Sequence, residues 1–358
     1  MRIVIVRRES FDLPDGISDF VFHLSDELLE RGHEVTLLST WKSSPETARS
    51  QFARRHYPRL ESLADRSSDC RIQTAALWWS RGVQRLAALK PDVVLLNGVI
   101  PIRLPYPTVA VSHDLEQRRR WWSPARVVYK RRAYRFSDQI VATCTELADA
   151  LAAELKVDLP QIAVIPTCVA SATEPGLPFA RRDRAVLHMG GAGYKGPQDS
   201  IAAFGHLNDP TARLYLTGRP NRTTETAMAN LPAALRARVE MVGWVPAQRL
   251  HELISTVRCV NVPSVYHVPV CSPTVLESFA AGTPVVCSNS ITADMIQQEE
   301  NALAAGNPEE AGVAMKRLLD EEPLWTRLSG NARQTATRFS ASAVADRYLA
   351  LINRLLSR

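Results

Sequence analysis

The sequence lacks the cysteine patterns that mark a disulfide scaffold or a zinc site. Its six cysteines are scattered, with no Cys-x-x-Cys pair and no matching histidine spacing. They are therefore expected to be buried thiols in a reducing compartment. No apolar run approaches the length of a membrane-spanning helix. The opening segment, MRIVIVRRES, has too short an apolar stretch for a signal peptide and predicts a buried strand. We expect a cytoplasmic protein.

The chain also lacks low-complexity tracts and short repeats. With 358 residues, 46% hydrophobic and 22% charged, it has the composition of a globular protein with about two domains. Acidic residues are missing from one long segment, Arg118 to Arg135, which carries eight basic residues. The net charge of the whole chain is only +6, so the rest of the chain is net negative. The basicity belongs to this one segment.

Aromatic residues alternate with the basic ones in this segment: Trp121, Trp122, Tyr129 and Tyr134. This mixture suits an anionic membrane surface, because aromatic rings settle at the headgroup level and cations are attracted to acidic lipids. The alternative is a solvated helix face whose aromatic rings turn toward the core. No nucleic-acid-binding motif accompanies the segment, so we expect no nucleic-acid partner. Peripheral attachment to the inner face of the cell membrane is thus an alternative to a freely cytoplasmic protein.

The hydrophobic pattern alternates between strands and helices along most of the chain. Predicted strands lie at 3–6, 33–39, 93–96, 108–112, 139–142, 162–165, 185–189, 213–217, 239–242, 259–262 and 285–288. Predicted helices lie at 19–31, 78–89, 129–136, 146–155, 199–207, 250–256, 274–281 and 343–356. Repeated strand–helix–strand units imply parallel, doubly wound sheets. The fold class is α/β, and such sheets bind ligands at the carboxyl ends of their strands.

A change in composition divides the two halves. Residues 168–184 are rich in Ala, Pro, Gly and Thr without periodicity, which is typical of a linker. We therefore predict an N-terminal Rossmann-like domain at 1–167 and a second one at 185–335, facing a central cleft. The final segment, 336–358, lies beyond the natural end of the second domain. Its helix is expected to fold back on the first domain.

A glycine-rich turn follows the first strand of the second half. Residues 191–196, GAGYKG, satisfy the pattern G-x-G-x-x-G of dinucleotide-binding proteins. The next strand, however, ends in Arg219 and not in the acid that would hold a ribose. Arg219 could bind a 2′-phosphate, so the motif does not exclude an NADP-dependent enzyme. Gly193 and Lys195 could instead hold a diphosphate, since a lysine at such a turn supplies a cation without a metal. A solvated loop lysine is the alternative.

The segment 263–286, PSVYHVPVCSPTVLESFAAGTPVV, favours the diphosphate. It predicts a loop, then a helix that begins at Thr274 and carries Glu277. A carboxylate there can accept hydrogen bonds from a ribose, while the first amides of the helix, near Thr274 and Val275, face phosphates. His267 lies within the loop. An acid placed there only by the helix dipole is the alternative for Glu277.

The first half offers two further candidates. Gly16 lies between the first strand and the first helix, where it allows a ligand to approach the helix N-terminus. An ordinary strand-to-helix turn is the alternative. His113 follows the strand TVAVS, at the carboxyl edge of the sheet, where it can bond a sugar hydroxyl or carry a proton. A structural histidine is the alternative there.

The order of these motifs resembles the family-4 retaining glycosyltransferases of the GT-B fold over essentially the whole chain. DGISDFVFHLSDELLERGHEVTLL is similar to the family's glycine loop, first helix and second strand. VLHMGGAGYKGPQDSIAAF is similar to its donor-binding motif, and RVEMVGWVP resembles the segment flanking the nucleobase. PSVYHVPVCSPTVLESFAAGTPVV resembles its region of two glutamates separated by seven residues.

This resemblance implies a role for each candidate. Gly16 would lie against the donor phosphates or the acceptor, and His113 would contact the donor sugar. Lys195 would bind the diphosphate, and Glu277 the ribose. This chain departs from the family's pattern at two places. The family's arginine shortly before the lysine is replaced by Gly190 or Gly191, with Arg219 as a candidate substitute. The family's first glutamate falls at Pro269 or His267, so the two-glutamate motif is degenerate.

The implied activity is transfer of a sugar from a nucleoside-diphosphate sugar to a hydroxyl, with retention at the anomeric carbon. No acidic metal-binding triplet is visible, so we expect neither a metal nor another cofactor. His113, Lys195 and His267 are the candidate catalytic residues. The acceptor is expected to be a lipid-linked or cell-surface saccharide, as in polysaccharide biosynthesis. One alternative is a catalytically degenerate protein of the same fold that binds a nucleotide sugar or a partner. Another is a sugar-nucleotide epimerase.

Overall fold

The computed structural model describes residues 1–7, 16–39, 83–98, 103–115, 128, 131–156, 161–170 and 176–357. The chain divides into two compact units. Unit 1 comprises Met1–Cys168 together with Ala341–Arg358, and unit 2 comprises Val169–Ser340. Within the predicted helix 78–89, residues 78–82 lie outside the described part of the chain. So do Trp121, Trp122 and Tyr129 of the basic segment.

In its described residues, unit 1 forms a parallel six-stranded sheet. The strands are β1 (Arg2–Arg7), β2 (Glu34–Ser39), β3 (Val93–Asn97), β4 (Thr108–Ser112), β5 (Gln139–Ala142) and β6 (Ile162–Val164). The helices are α1 (Gly16–Glu30), α2 (Val83–Leu89) and α3 (Thr145–Leu155). The strand order is β2-β1-β3-β4-β5-β6. Sheet residues alternate between the two faces, so Ile3 and Ile5 enter one core cluster and Val4 and Val6 another.

Unit 2 repeats this design. Its strands are β7 (Asp183–His188), β8 (Arg213–Thr217), β9 (Val239–Gly243), β10 (Val257–Val262), β11 (Val285–Cys287) and β12 (Leu303–Ala304). Its helices are α4 (Pro197–His206), α5 (Arg222–Ala229), α6 (Ala233–Arg236), α7 (Ala247–Thr256), α8 (Pro273–Ala280), α9 (Pro308–Asp320) and α10 (Glu322–Thr337). The strands run parallel in the order β12-β11-β10-β7-β8-β9, with a core cluster on each face.

Several of these elements were not predicted. No element was predicted between 289 and 342, where the structure has β12, α9 and α10. The signal for α9 was present, because Ala311, Ala314, Met315 and Leu318 lie on one face at helical spacing and are buried. Asn307 caps this helix by accepting from the Glu310 amide.

The predicted linker, 168–184, lies within unit 2 from Val169 onward, although residues 171–175 are outside the described part. Arg182 is 3% exposed and anchors this stretch to unit 2. Its guanidinium donates to five backbone carbonyls and a hydroxyl, those of Leu177, Ile254, Val257, Ala281, Gly282 and Thr283. It also lies over the Trp325 ring, 4.8 Å from the centroid. Arg182 is therefore a buried, hydrogen-bonded cation in a stretch whose composition is typical of a linker.

The last helix, α11 (Ala341–Leu356), belongs to unit 1. Its buried residues join the core cluster that contains Ile3, and the Tyr348 ring lies 6.1 Å from that of Phe20 on α1. Arg31, just after α1, forms an ion pair with Asp346 and donates to the Ser342 carbonyl. The returning segment was predicted to begin at 336 and its helix at 343, whereas the structure divides the two units between Ser340 and Ala341.

Candidate functional site

The loop after β7 contacts the loop after β8 through glycine backbone. Gly190 has φ +101°, and Gly218 has φ +90°. A Cβ atom added to Gly191 would lie 1.8 Å from the Arg219 carbonyl oxygen, and one added to Gly218 would lie 2.4 Å from the Gly191 nitrogen. Because real atoms cannot approach so closely, glycine is required at both positions. The arginine of the related family cannot occupy position 191 in this backbone.

A buried polar chain supports this loop. His188, at the end of β7 and 1% exposed, has Nε2 at 2.9 Å from the Gly190 carbonyl oxygen. A carbonyl only accepts, so Nε2 carries the proton and donates. Nδ1 then accepts from the Ser200 hydroxyl at 2.8 Å, and Asn261 donates to Ser200 at 2.9 Å. Burial lowers the pKa of His188 to about 4, which keeps the ring neutral at physiological pH.

Lys195 lies beside the first turn of α8. It ends a short 3-10 turn, and Gly196, with φ +70°, leads directly into α4. Its Nζ is 3.4 Å from the Thr274 hydroxyl. Burial lowers the pKa of Lys195, while the nearby Tyr194 and Glu277 raise it. The structure therefore brings together Lys195, Thr274 and Glu277, three of the predicted site residues.

Helix α8 begins with features that suit an anion. Pro273 is its first residue, and the first intrahelical bond comes from the Leu276 amide to the Ser272 carbonyl. The amides of Thr274 and Val275 precede that bond, so they belong to the unpaired first turn. The Ser272 hydroxyl is buried and has no partner among the described residues. Glu277 follows one turn later and is half-buried.

The loop ahead of α8 holds the two replacements for the first glutamate. His267 is exposed and Pro269 is half-buried. The loop is tied to the Lys195 turn by a 2.9 Å hydrogen bond from the Val265 amide to the Tyr194 carbonyl. The rings of Tyr194 and Tyr266 lie 5.6 Å apart across the same contact. The two loops that flank Lys195 are thus joined by backbone and by aromatic packing.

The remaining candidates of unit 2 lie around the glycine loop. Arg219 is exposed, and its backbone packs against Gly191. Gly193 is exposed, and a Cβ there would meet nothing within 4 Å. Asn221, which was not predicted, caps α5 by accepting from the Thr224 amide and donates to the Gly191 carbonyl at 2.8 Å.

Unit 1 gathers its candidates at the carboxyl edge of its own sheet. Gly16 is the first residue of α1 and half-buried. His113 follows β4, where its Nε2 lies 2.9 Å from the Asn97 side-chain oxygen and its ring packs edge-on against Phe20. Arg7, paired in register with Asn97, is 2% exposed and donates to Ser18 at the start of α1. Arg7 and Asn97 were not predicted, although each ends a buried strand.

Only part of the basic segment is described. Residues 131–135 form a helical turn in which Tyr134 is 5% exposed and packs in the cluster of Leu147 and Leu151. Arg132 and Arg135 are exposed. In this stretch the aromatic ring faces the core and the cations face outward, which is the arrangement of a solvated helix face. No helix in the described part of the chain is long and apolar enough to cross a membrane.

Comparison with known proteins identifies the class of protein. Residues 14–172 match the family described as Glycosyltransferase Family 4, and residues 183–321 match the one described as Glycosyl transferases group 1. No curated protein matches the sequence.

Solved structures resemble the chain over its whole length. HepE of Anabaena in complex with UDP is 16% identical, with a TM-score of 0.76 over 99% of this chain and 100% of that one. Sucrose-phosphate synthase from Thermosynechococcus elongatus is 16% identical, with a TM-score of 0.73 over 100% and 99%. The lipopolysaccharide outer core galactosyltransferase WaaB, in its apo form, is 15% identical, with a TM-score of 0.67 over 99% of both chains.

The chain is therefore a glycosyltransferase with the GT-B fold of two Rossmann-like domains. This confirms the family resemblance and the fold class predicted from the sequence. Among the described residues, no group of three or more His, Cys, Asp or Glu side chains could hold a metal ion.

Proposed function

We propose that this protein transfers a sugar from a nucleoside-diphosphate sugar to a hydroxyl acceptor, with retention at the anomeric carbon and without a divalent metal. One observation carries the proposal: Lys195 Nζ lies 3.4 Å from the Thr274 hydroxyl, beside the first-turn amides of α8. A cation and unpaired amides at one place suit a diphosphate. Glu277, one turn further, is the ribose acceptor.

The chemistry needs stabilisation of the leaving diphosphate. Lys195 and the amides of Thr274 and Val275 supply it from fixed positions, so no reorganisation is needed as charge develops. The lowered pKa of Lys195 reflects burial, and Glu277 opposes that shift, which helps to keep the lysine charged. Without a carboxylate before Glu277, orientation of the sugar falls to His267 or to a diphosphate oxygen of the donor. His113 is proposed to contact the donor sugar.

The structural neighbours support the donor and acceptor classes. HepE was crystallised with UDP, with UDP and glucose, and with UDP-glucose. WaaB is described as acting on the lipopolysaccharide outer core. A lipid-linked or cell-surface saccharide is accordingly our proposed acceptor, in polysaccharide biosynthesis.

A specific observation favours a second candidate. The positions that align with the first glutamate hold an exposed histidine, His267, and a proline, Pro269. A transition-state contact of this kind can contribute a few kcal/mol. A protein of this fold that binds a nucleotide sugar without transferring it is therefore the alternative.

Calorimetry followed by turnover separates the two candidates. UDP, GDP and ADP are titrated first, and nucleotide release from the matching sugar donors is then measured with a saccharide acceptor panel, with and without EDTA. Transfer in EDTA with the donor's anomeric configuration, shown by NMR of the product, is expected. Tight binding without turnover would favour the binding protein, and isomerised donor in the absence of acceptor would indicate an epimerase.

A Glu277 variant tests the proposal that Glu277 binds the ribose. Glu277→Ala should weaken nucleotide binding by about 10-fold, because a hydrogen bond to a charged acceptor is lost. Glu252→Ala, an exposed glutamate on α7, is the matched control and should bind as the parent protein does. Equal affinity of Glu277→Ala and the parent protein would refute the assignment.

We also propose peripheral attachment to an anionic membrane through the basic segment from Arg118 to Arg135. The exposed Arg132 and Arg135 support it, while the burial of Tyr134 limits the aromatic contribution. Co-sedimentation with vesicles containing acidic lipid should succeed at low salt and weaken at high salt, because the attraction is electrostatic. Absence of binding at every salt concentration would leave a freely cytoplasmic protein.

A further inference from the structure

Two consecutive carbonyls of the glycine loop are turned inward by side chains. The Gly190 carbonyl accepts from His188 Nε2 at 2.9 Å, and the Gly191 carbonyl accepts from Asn221 Nδ2 at 2.8 Å. In a trans peptide the N–H group points away from the C=O group of the same unit. The amides that share these peptide units, those of Gly191 and Ala192, therefore point the opposite way.

These amides have no protein partner in the part of the chain that the structure describes. Gly191 is half-buried, with its nitrogen packed against Gly218, and Ala192 is exposed, so this part of the loop reaches the surface of unit 2. The stem of Lys195 runs beside Gly190, the residue before them, because a Cβ added to Gly190 would lie 3.5 Å from Lys195 Cγ. Successive outward amides next to a cation form a concavity that binds anions.

We propose that the amides of Gly191 and Ala192, oriented by His188 and Asn221, bind the donor diphosphate in place of the arginine that this loop lacks. The proposal rests on the proposed function and adds two positioning residues to it. The close contact between Gly191 and Arg219 excludes an arginine side chain at position 191. Backbone N–H donors are available at this position in its place.

Both positioning side chains are held in one orientation by other bonds. Asn221 presents its oxygen to the Thr224 amide as the cap of α5, which leaves its NH₂ group for the Gly191 carbonyl. His188 accepts from Ser200 on Nδ1, so its single N–H is committed to Gly190. The Asn261 side-chain amide donates to the Ser200 hydroxyl. Donors fixed in advance do not lose conformational entropy when the ligand binds.

The test compares a nucleoside diphosphate with its parent nucleoside, because only the former reports on the phosphate contacts. UDP, GDP and ADP are titrated into the parent protein, and the one that binds is paired with uridine, guanosine or adenosine. Asn221→Thr keeps an uncharged cap for α5 and removes the donor to Gly191. We expect diphosphate affinity to fall about 10-fold and nucleoside affinity to change by less than about 2-fold.

His188 is tested in the same way with a conservative partner. His188→Phe removes the donor to Gly190 and should weaken diphosphate binding about 10-fold, whereas His188→Gln can still donate and should restore most of it. Asn307→Thr is the matched control, since Asn307 caps α9 as Asn221 caps α5 but touches no part of the glycine loop. It should bind both ligands as the parent protein does.

The outcomes separate the two proposals. If the parent protein binds none of the three nucleotides, the proposed function and this inference both fall. If the parent binds but Asn221→Thr keeps its full preference for diphosphate over nucleoside, this inference alone is wrong. An equal loss for diphosphate and nucleoside would also overturn it, because that result indicates a structural role. Melting curves of each variant identify misfolding. If a His188 variant misfolds, the result for Asn221→Thr decides whether this inference holds.

Discussion

Lys195 Nζ lies 3.4 Å from Thr274 Oγ1, although 78 residues separate the two in the sequence. The contact joins the turn after β7 to the first turn of α8, which follows β10. The strands β7 and β10 are neighbours in the sheet, so their carboxyl ends bring the two turns together.

Replacing Lys195 by methionine should weaken nucleoside-diphosphate binding by about 10- to 100-fold, because the variant loses its cation beside the proposed phosphates. Calorimetry measures the change. Lys316→Met is the matched control, since Lys316 is an exposed lysine of α9 that pairs with Asp320. Its affinity should match that of the parent protein. Unchanged affinity of Lys195→Met would mean that the diphosphate binds elsewhere.

Restoring the family's arginine should not restore its function. Gly191→Arg places a Cβ 1.8 Å from the Arg219 carbonyl oxygen, so the loop must shift. We expect the free energy of unfolding of unit 2 to fall by about 2 kcal/mol or more. Chemical denaturation measures this. Gly330→Ala, in the interior of α10 with nothing within 4 Å, should instead stabilise by up to about 1 kcal/mol. A stable Gly191→Arg protein with tighter binding would contradict the structure.

Arg182 should be a large contributor to the stability of unit 2. Arg182→Met leaves five carbonyls and a hydroxyl without their donor, and we expect a loss of about 3–5 kcal/mol in the free energy of unfolding. Its exposed neighbour provides the control, because Arg181→Met should change stability by less than about 0.5 kcal/mol. A loss below about 1 kcal/mol for Arg182→Met would show that the carbonyls find other partners.

Acid should destabilise unit 2 through His188. Its pKa is near 6.5 when unfolded and about 4 in the folded protein, so the unfolded state binds more protons between these values. The stabilisation is complete above pH 6.5 and is lost as the pH falls toward 4, by about 3 kcal/mol. Amide exchange of β7 and β10 peptides should show this slope in the parent protein.

The same experiment on His188→Gln should give a flatter dependence on pH, since glutamine does not titrate. His251→Gln, at an exposed site on α7, should keep the slope of the parent. A parallel slope in His188→Gln and the parent protein would show that other groups control the acid sensitivity.

The fold class could be predicted from the sequence, because alternating apolar strands and amphipathic helices leave few arrangements other than parallel doubly wound sheets. The sequence also indicated Lys195 and Glu277, since a lysine in a strand-to-helix turn and an acid in an early helix turn are local patterns. The last helix was predicted to return to the first unit from its place beyond the second domain. Each of these features depends on residues close together in the chain.

Contacts between residues far apart in the chain could not be predicted from local patterns. Arg182 lies in a stretch whose composition is typical of a linker, and only folding surrounds it with carbonyls from two distant segments, one at Ile254 and Val257 and one at Ala281 and Gly282. His188 and Asn221 both bond carbonyls of the glycine loop only because β7 and β8 are neighbours in the sheet. The lost arginine is likewise explained by Gly191 meeting Arg219 across that contact. Hydrogen-bond partners and close approaches between distant segments exist only once the sheet has formed, and that is why the sequence could not supply them.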